Sequence, residues 1–344
     1  MIKELTSLRF VFIMFIFLSH IPLQVYGVSM ATSFFFVLGG FGLTLGYKDK
    51  VLKPDFNYKQ YLTRRLTKFY PLHWICLIAT IPLALIAFNW KQIPVFFINA
   101  ALLQTWVPSM NVYFSYNAVS WYLANTMFFA VVFPFFCRLI IKNRVASAIL
   151  LSLAYALLVV LMPSEYYHYG FYINPLARTF DFVVGIYAAL AFIELCDNKW
   201  IVSVMHRGNL IVLLMLFVIA TMVYVLSLLS TEVRMFTIIY WMPVAFVILS
   251  ASLLGKVGGV NLLRNKYLVA LGDCVFTFFL VHQLVIRYYK LLTVSILHYE
   301  NDILATIICL LVSIAVSLII KMYLLAPFTQ WLIKKILPSM TARS

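Results

Sequence analysis

The sequence predicts an all-α, polytopic transmembrane helical bundle of about ten spans plus a short re-entrant or interfacial helix, and three observations predict it. Of the 344 residues, 64% are hydrophobic and only 11% are charged, against roughly 25% charged in a soluble domain. The mean hydropathy is +0.99. The apolar residues also fall in runs close to the ~20 residues that cross a bilayer. Too little polar surface is left to cover a globule, so a single integral membrane domain over 1–344 accounts for the chain.

The spans are expected at 7–24, 29–47, 70–88, 118–141, 146–162, 175–195, 210–229, 235–254, 267–289 and 302–325, each an apolar run bounded by polar or basic residues. The first, with its FVFIMFIFL core, has the look of a secretory signal. No small-residue cleavage site follows before the next span opens at Ser29, so it is expected to stay as a signal anchor. The stretch 94–106 is too short to cross and reads as the re-entrant or interfacial piece. Pro71 fits a break between an interfacial helix and the third span. The Pro-containing segments 108–117 and 163–174 and the Gly255 to Gly259 stretch read as connectors.

The net charge of +15 invites a nucleic-acid reading, which the placement of the charges removes. With the N-terminus inside, the cytoplasmic ends hold 20 of the 26 Lys and Arg, and Lys91, Arg234, Arg287 and Lys290 fall outside. That asymmetry is the positive-inside pattern, and it predicts both termini in the cytoplasm. The five cysteines are scattered without a CxxC pair, which argues against a disulfide framework or a zinc site. No GxSxG, Gly-rich phosphate loop or metal-spaced cluster occurs, so no metal is expected.

Ionisable groups at membrane depth cost a few kcal/mol each and therefore mark candidate sites. Arg9 and His20 stand eleven positions apart, about three helical turns or roughly 16 Å, which would put both on one face of a continuous helix. Arg9 would lie near the cytoplasmic mouth and His20 halfway across or beyond. A neutral imidazole is the best general base near neutral pH. The plainer alternative is a snorkelling anchor and a helix-to-helix hydrogen bond. The stretch YLTRRLTKFYPLHW gathers Arg64, Arg65 and Lys68, which suit phosphate recognition or, equally, anionic lipid headgroups. Arg178 and Asp181 are spaced to neutralise each other at i,i+3. Asp273 precedes a span containing His282, and Trp121 and Tyr122 open the span at 118–141 as aromatics that suit a membrane-interface belt. His73, His168, His206 and His298 read as solvated surface.

Taken in order, these positions resemble the membrane-bound acyltransferase-3 family of bacterial O-acyltransferases. ELTSLRFVFIMFIFLSH has the family's Arg and His with ten residues between them. SFFFVLGGFGLTLGY is similar to its FF-x-LSGF signature, with Gly39 where Ser is usual, and YLTRRLTKFYPLHW to its basic pairs before Pro, with Lys68 for Arg. SWYLANTMFFAVVFP occupies the place of the Trp-x-Leu…Phe-Pro signature, but Thr126 stands where many members carry Glu. NPLARTFDFVVG resembles the Asn-Pro-x-x-Arg stretch, with Asp181 for a frequent Glu, and LLRNKYLVALGDCVFTFFLVHQ the last signature, ending in His282.

The resemblance implies transfer of an acyl group, usually acetyl from acetyl-CoA, to a sugar hydroxyl of a cell-envelope glycan in a bacterial plasma membrane. It implies His20 and Arg9 as catalytic residues and Arg64, Arg65, Lys68 and Arg9 as the holders of acyl-CoA. Trp121, Tyr122, Arg178, Asp181 and His282 would contact the acceptor. Membrane lipids and the two substrates are then the expected partners, and oligomeric state stays open. Direct transfer and an acyl-enzyme both remain possible. A secondary transporter or flippase of an anionic substrate is the alternative, weakened by the absence of an inverted repeat.

Overall fold

The computed structural model describes residues 2–21, 25–86, 89–297, 301–325 and 327–328. Among these, every regular element is helical. The longer helices are α1 (Lys3–Leu18), α2 (Val28–Val51), α3 (Tyr58–Ala79), α4 (Gln92–Ala100), α5 (Ser120–Lys142), α6 (Arg144–Leu161), α7 (Pro175–Leu195), α8 (Gly208–Leu228), α9 (Ile238–Val257), α10 (Lys266–Asp273), α11 (Val275–Lys290) and α12 (Asp302–Ile319). Nine helical stretches among the described residues are long and apolar enough to cross a membrane. They overlap nine of the ten expected spans. This is a multi-pass membrane protein. The expected piece at 94–106 holds α4 and the 3-10 turn Gln104–Trp106, both far shorter than a span.

The first expected span differs. Its helix begins at Lys3 rather than residue 7 and ends at Leu18, with the Ser19 N–H donating to the Phe15 carbonyl at 3.2 Å. At 16 residues it rises about 24 Å, and residues 22–24 lie outside the described ones. The early start has a physical cause that hydropathy does not see. Glu4 is fully buried, and its Oε1 accepts from Arg264 Nε at 2.7 Å and from Asn261 Nδ2 at 3.1 Å. Ser7 Oγ donates to the Leu263 carbonyl at 2.6 Å. The polar start of α1 is thus held inside the protein through Glu4 Oε1 and Ser7 Oγ, while Glu4 Oε2 is buried without a hydrogen-bond partner.

Two further expectations are corrected. Pro71 does not break a helix: α3 runs through it to Ala79. Proline removes one N–H and crowds the carbonyl four residues back, a local cost that a membrane-embedded helix tolerates when its surroundings absorb it. The span expected at 267–289 is two helices, divided at Cys274, so Asp273 ends α10 and His282 belongs to α11. A Cβ on Gly272 would strike the Thr6 carbonyl, which shows how closely the end of α10 lies on the start of α1.

Within the expected single domain, contacts group into two compact units. One comprises the described residues up to 19, with 25–56 and 128–273; the other comprises 20–21, 57–127 and those from 274 onward. In the first unit α2 and α7 cross backbone to backbone. Gly40 and Gly185 make this possible, because a Cβ on Gly40 would meet the Phe182 carbonyl oxygen and one on Gly185 the Val37 carbonyl oxygen. Without a hydrophobic drive between helices in lipid, such close approach is what holds membrane helices together. Phe12 of α1 stacks on Phe34 of α2 at 3.8 Å between centroids.

The second unit is built on α3, α4 and α11. His73 is fully buried, not solvated, and its Nε2 lies 2.9 Å from the Asn99 carbonyl. Tyr70 donates to the Ala101 carbonyl and Trp74 to that of Ala100, at 3.0 and 3.2 Å. One face of α3 thereby satisfies the carbonyls that the C-terminal end of α4 leaves without helical partners. Of the other histidines expected at the surface, His206 is exposed and His168 half-buried, and His298 lies outside the described residues.

Candidate active site

His20 follows the last residue of α1 by two positions and stands in the turn 19–21. The one-face relation with Arg9 required the helix to continue, and it does not. What meets His20 instead is His282 of α11: the two rings stand edge to face with centroids 5.2 Å apart. His282 is fully buried, with its Nδ1 3.1 Å from the Phe278 carbonyl one turn earlier. A carbonyl only accepts, so Nδ1 carries the proton and Nε2 the lone pair of the neutral ring. Phe278 lies parallel to the imidazole at 5.6 Å and Phe279 tilts against it at 6.0 Å. The second imidazole is therefore locked in both tautomer and plane.

The start of α5 is fastened to the same helix. Asn117 Nδ2 donates to the Leu280 carbonyl at 2.9 Å, and Gln283 Oε1 accepts from the Val119 N–H at 3.1 Å. Tyr122 packs edge-on to Phe279 at 4.9 Å. Trp121 is buried and Tyr122 half-buried, so this pair of aromatics packs against protein and is no simple interface belt. Thr126, which replaces a frequent acid, turns its hydroxyl to the Tyr122 carbonyl at 2.9 Å. Asn117 and Gln283 escaped the sequence reading. Gln283 directly follows His282, but a lone amide inside a helix, or one just ahead of a helix as Asn117 is, carries no pattern that distinguishes it.

The basic cluster lies on α3. Arg64 and Arg65 are half-buried and Lys68 exposed, with Arg65 over the Tyr61 ring at 5.5 Å and Lys68 over Phe69 at 5.5 Å. Phe69 also packs against Phe276 of α11 at 5.5 Å, so the helix with the cations leans on the helix with His282. Three cations within about one and a half turns suit a polyphosphate. In the first unit, Arg9 is half-buried on α1. There Arg178 and Asp181 do pair: Nη1 lies 3.2 Å from Oδ2 with both side chains fully buried. Trp241 of α9, which no sequence pattern sets apart from the other tryptophans, donates its indole N–H to Asp181 Oδ1 at 2.8 Å.

The comparisons with known proteins agree with one another. A family model described as an acyltransferase domain matches residues 2–322, nearly the whole chain. The chain belongs to the acyltransferase-3 family. A curated relative, acyltransferase MdmB of Streptomyces mycarofaciens, is 28% identical over 290 residues, covering 76% of this chain and 68% of the relative. No solved structure matches. Membership makes this chain a membrane acyltransferase, and the alternative of a secondary transporter loses its footing. Among the described residues of this acyltransferase, no group of three or more His, Cys, Asp or Glu is placed to hold a metal ion.

Proposed function

We propose that this acyltransferase moves an acyl group, acetyl in the simplest case, from cytoplasmic acyl-CoA to a hydroxyl of a cell-envelope carbohydrate in a bacterial plasma membrane. The observation that carries the reading is the ordered imidazole pair, His20 against His282, in the unit that also bears the cationic start of α3. His20 takes the proton of the acceptor hydroxyl as its oxygen attacks the thioester carbonyl. The carbon–sulfur bond then breaks, the ester forms, and CoA leaves as a thiol once the proton is returned. His282, held by the Phe278 carbonyl, fixes the His20 ring so that its lone pair meets the hydroxyl. Such a base contributes about 10²–10⁴-fold, and positioning supplies much of the rest.

Arg64, Arg65 and Lys68 are assigned to the phosphates of the donor, with Arg9, whose guanidinium never deprotonates, as a further donor contact. Arg65→Ala is expected to raise the KM for acetyl-CoA about tenfold with kcat little changed, as loss of ground-state binding requires. Unchanged acetyl-CoA affinity in Arg64, Arg65 and Lys68 variants alike would make the cluster a lipid anchor. Trp121, Tyr122, Arg178, Asp181 and His282 are assigned to the acceptor.

The donor side of this reading depends on orientation. Both termini and the 48–68 segment are placed in the cytoplasm on the 20-to-4 division of basic residues between the two sides. Single cysteines at 53 and 59, in a background without the native ones, are expected to react with a membrane-impermeant maleimide only after the membrane is opened. Labelling from outside intact cells would remove the donor from reach of its site.

A further inference from the structure

Resting on that reading for the acceptor's class, we infer that Arg178, Asp181 and the aromatic rings around them form a subsite for two neighbouring hydroxyls of a neutral carbohydrate. Both charged side chains are fully buried, and their ion pair is a contact of charge without a directed hydrogen bond. None of Arg178 Nε, Nη1 and Nη2 has a hydrogen-bond partner, and Asp181 Oδ2 has none of full geometry, with the buried Ser33 hydroxyl beside the carboxylate. Unmet donors and an unmet acceptor thus lie side by side, an arrangement native interiors avoid. A ligand that supplies the missing donor and acceptors is one way such groups are completed.

The chemistry of that ligand follows from what is already present. Asp181 cancels the charge of Arg178, so an anionic ligand would leave a net negative charge buried. A carboxylate or phosphate also only accepts, and would set its oxygens against Oδ2. A hydroxyl both donates and accepts. Two adjacent hydroxyls match the side edge of the guanidinium through their oxygens and return a proton to Oδ2. Phe36 and Tyr172 flank the guanidinium at 4.8 and 5.7 Å, and Trp241, half-buried, holds Oδ1. Arg178 also lies in the first turn of α7, which starts at Pro175. In the proposed orientation that is the external end, where an envelope glycan arrives.

The test is binding to the full-length chain, purified in a sugar-free detergent and without acyl-CoA, read by tryptophan fluorescence. The probes are methyl glucoside, methyl galactoside and methyl mannoside, with methyl glucuronide and inorganic phosphate as anionic counterparts. At least one neutral glycoside is expected to give a saturable change that Trp241→Phe removes and that Arg178→Lys and Asp181→Asn each weaken at least tenfold. Either folded variant suffices if the other fails to fold. Absence of saturable binding by all three neutral glycosides would overturn the inference, as would equal binding by the variants or tighter binding of the anions. Because no donor is present, binding is read apart from transfer: glycoside binding with no ester formed once acetyl-CoA is added would sink the proposed acetyl-CoA-to-carbohydrate reaction and leave this subsite standing.

Discussion

His20→Ala is expected to reduce kcat for acyl transfer by at least 10²-fold while leaving acetyl-CoA binding nearly intact. The magnitude is what loss of a positioned general base costs. The separation of effects follows from the chain itself. His20 stands in a turn, half-buried, against the fixed ring of His282, whereas the cations assigned to the donor lie on α3. A small side chain in that turn removes no helical hydrogen bond, so the protein should remain folded and monodisperse. Arg9→Ala is expected to act in the opposite sense, raising the KM for acetyl-CoA with a smaller fall in kcat. Transfer and thioester binding measured on the same purified variants decide between these roles. Appreciable turnover by His20→Ala would pass the role of base to His282.

Gly185→Leu is expected to abolish the fold of the first unit rather than its chemistry. Gly185 packs its Cα side onto α2 so closely that even a methyl would overlap the Val37 carbonyl oxygen and come within 2.8 Å of the Phe41 nitrogen. Both obstacles are backbone, so no side chain can rotate out of the way. Overpacking a well-fitted core costs about 1–3 kcal/mol and sometimes more, and here two helices must separate along their crossing. Gly40→Ala, which meets the Phe182 carbonyl, should fall in the same direction. Gly46, on the same helix but with nothing near its Cβ, provides the contrast. Gly46→Ala should be neutral or stabilising by up to about 1 kcal/mol, the helix-propensity difference. Thermal unfolding in detergent, followed by size-exclusion chromatography, reads all three. A Gly185→Leu protein as stable as wild type would show that α2 and α7 do not cross as described.

Much of the architecture was legible in the sequence because a bilayer makes it so. Every backbone polar group in hydrocarbon needs an internal partner, so a run of about 20 apolar residues is a helix whatever surrounds it. That is why nine spans lie where hydropathy puts them and why the stretch 94–106 is short in both readings. The motifs from ELTSLRFVFIMFIFLSH to LVHQ, in the family's order, likewise sufficed to point to an acyltransferase, which the family match over residues 2–322 shows it to be. The i,i+3 pairing of Arg178 with Asp181 was legible too, because helical spacing alone brings those two side chains together.

Tertiary structure decided what depends on partners distant in the chain. Glu4 is buried and α1 starts early because Asn261 and Arg264 come to it. His73 is interior because the end of α4 offers it a carbonyl. His20 faces His282 although the regularity that linked it to Arg9 ends at Leu18. Trp241 reaches Asp181 from another helix. Hydropathy and periodicity describe one segment against lipid, and so determine which residues form helices. Hydrogen bonds, ion pairs and ring contacts between segments depend on rotation, depth and crossing, which only packing sets. The membrane class and the family were therefore written in the chain, while the imidazole pair and the buried Arg178–Asp181–Trp241 cluster came into view only when the helices were packed.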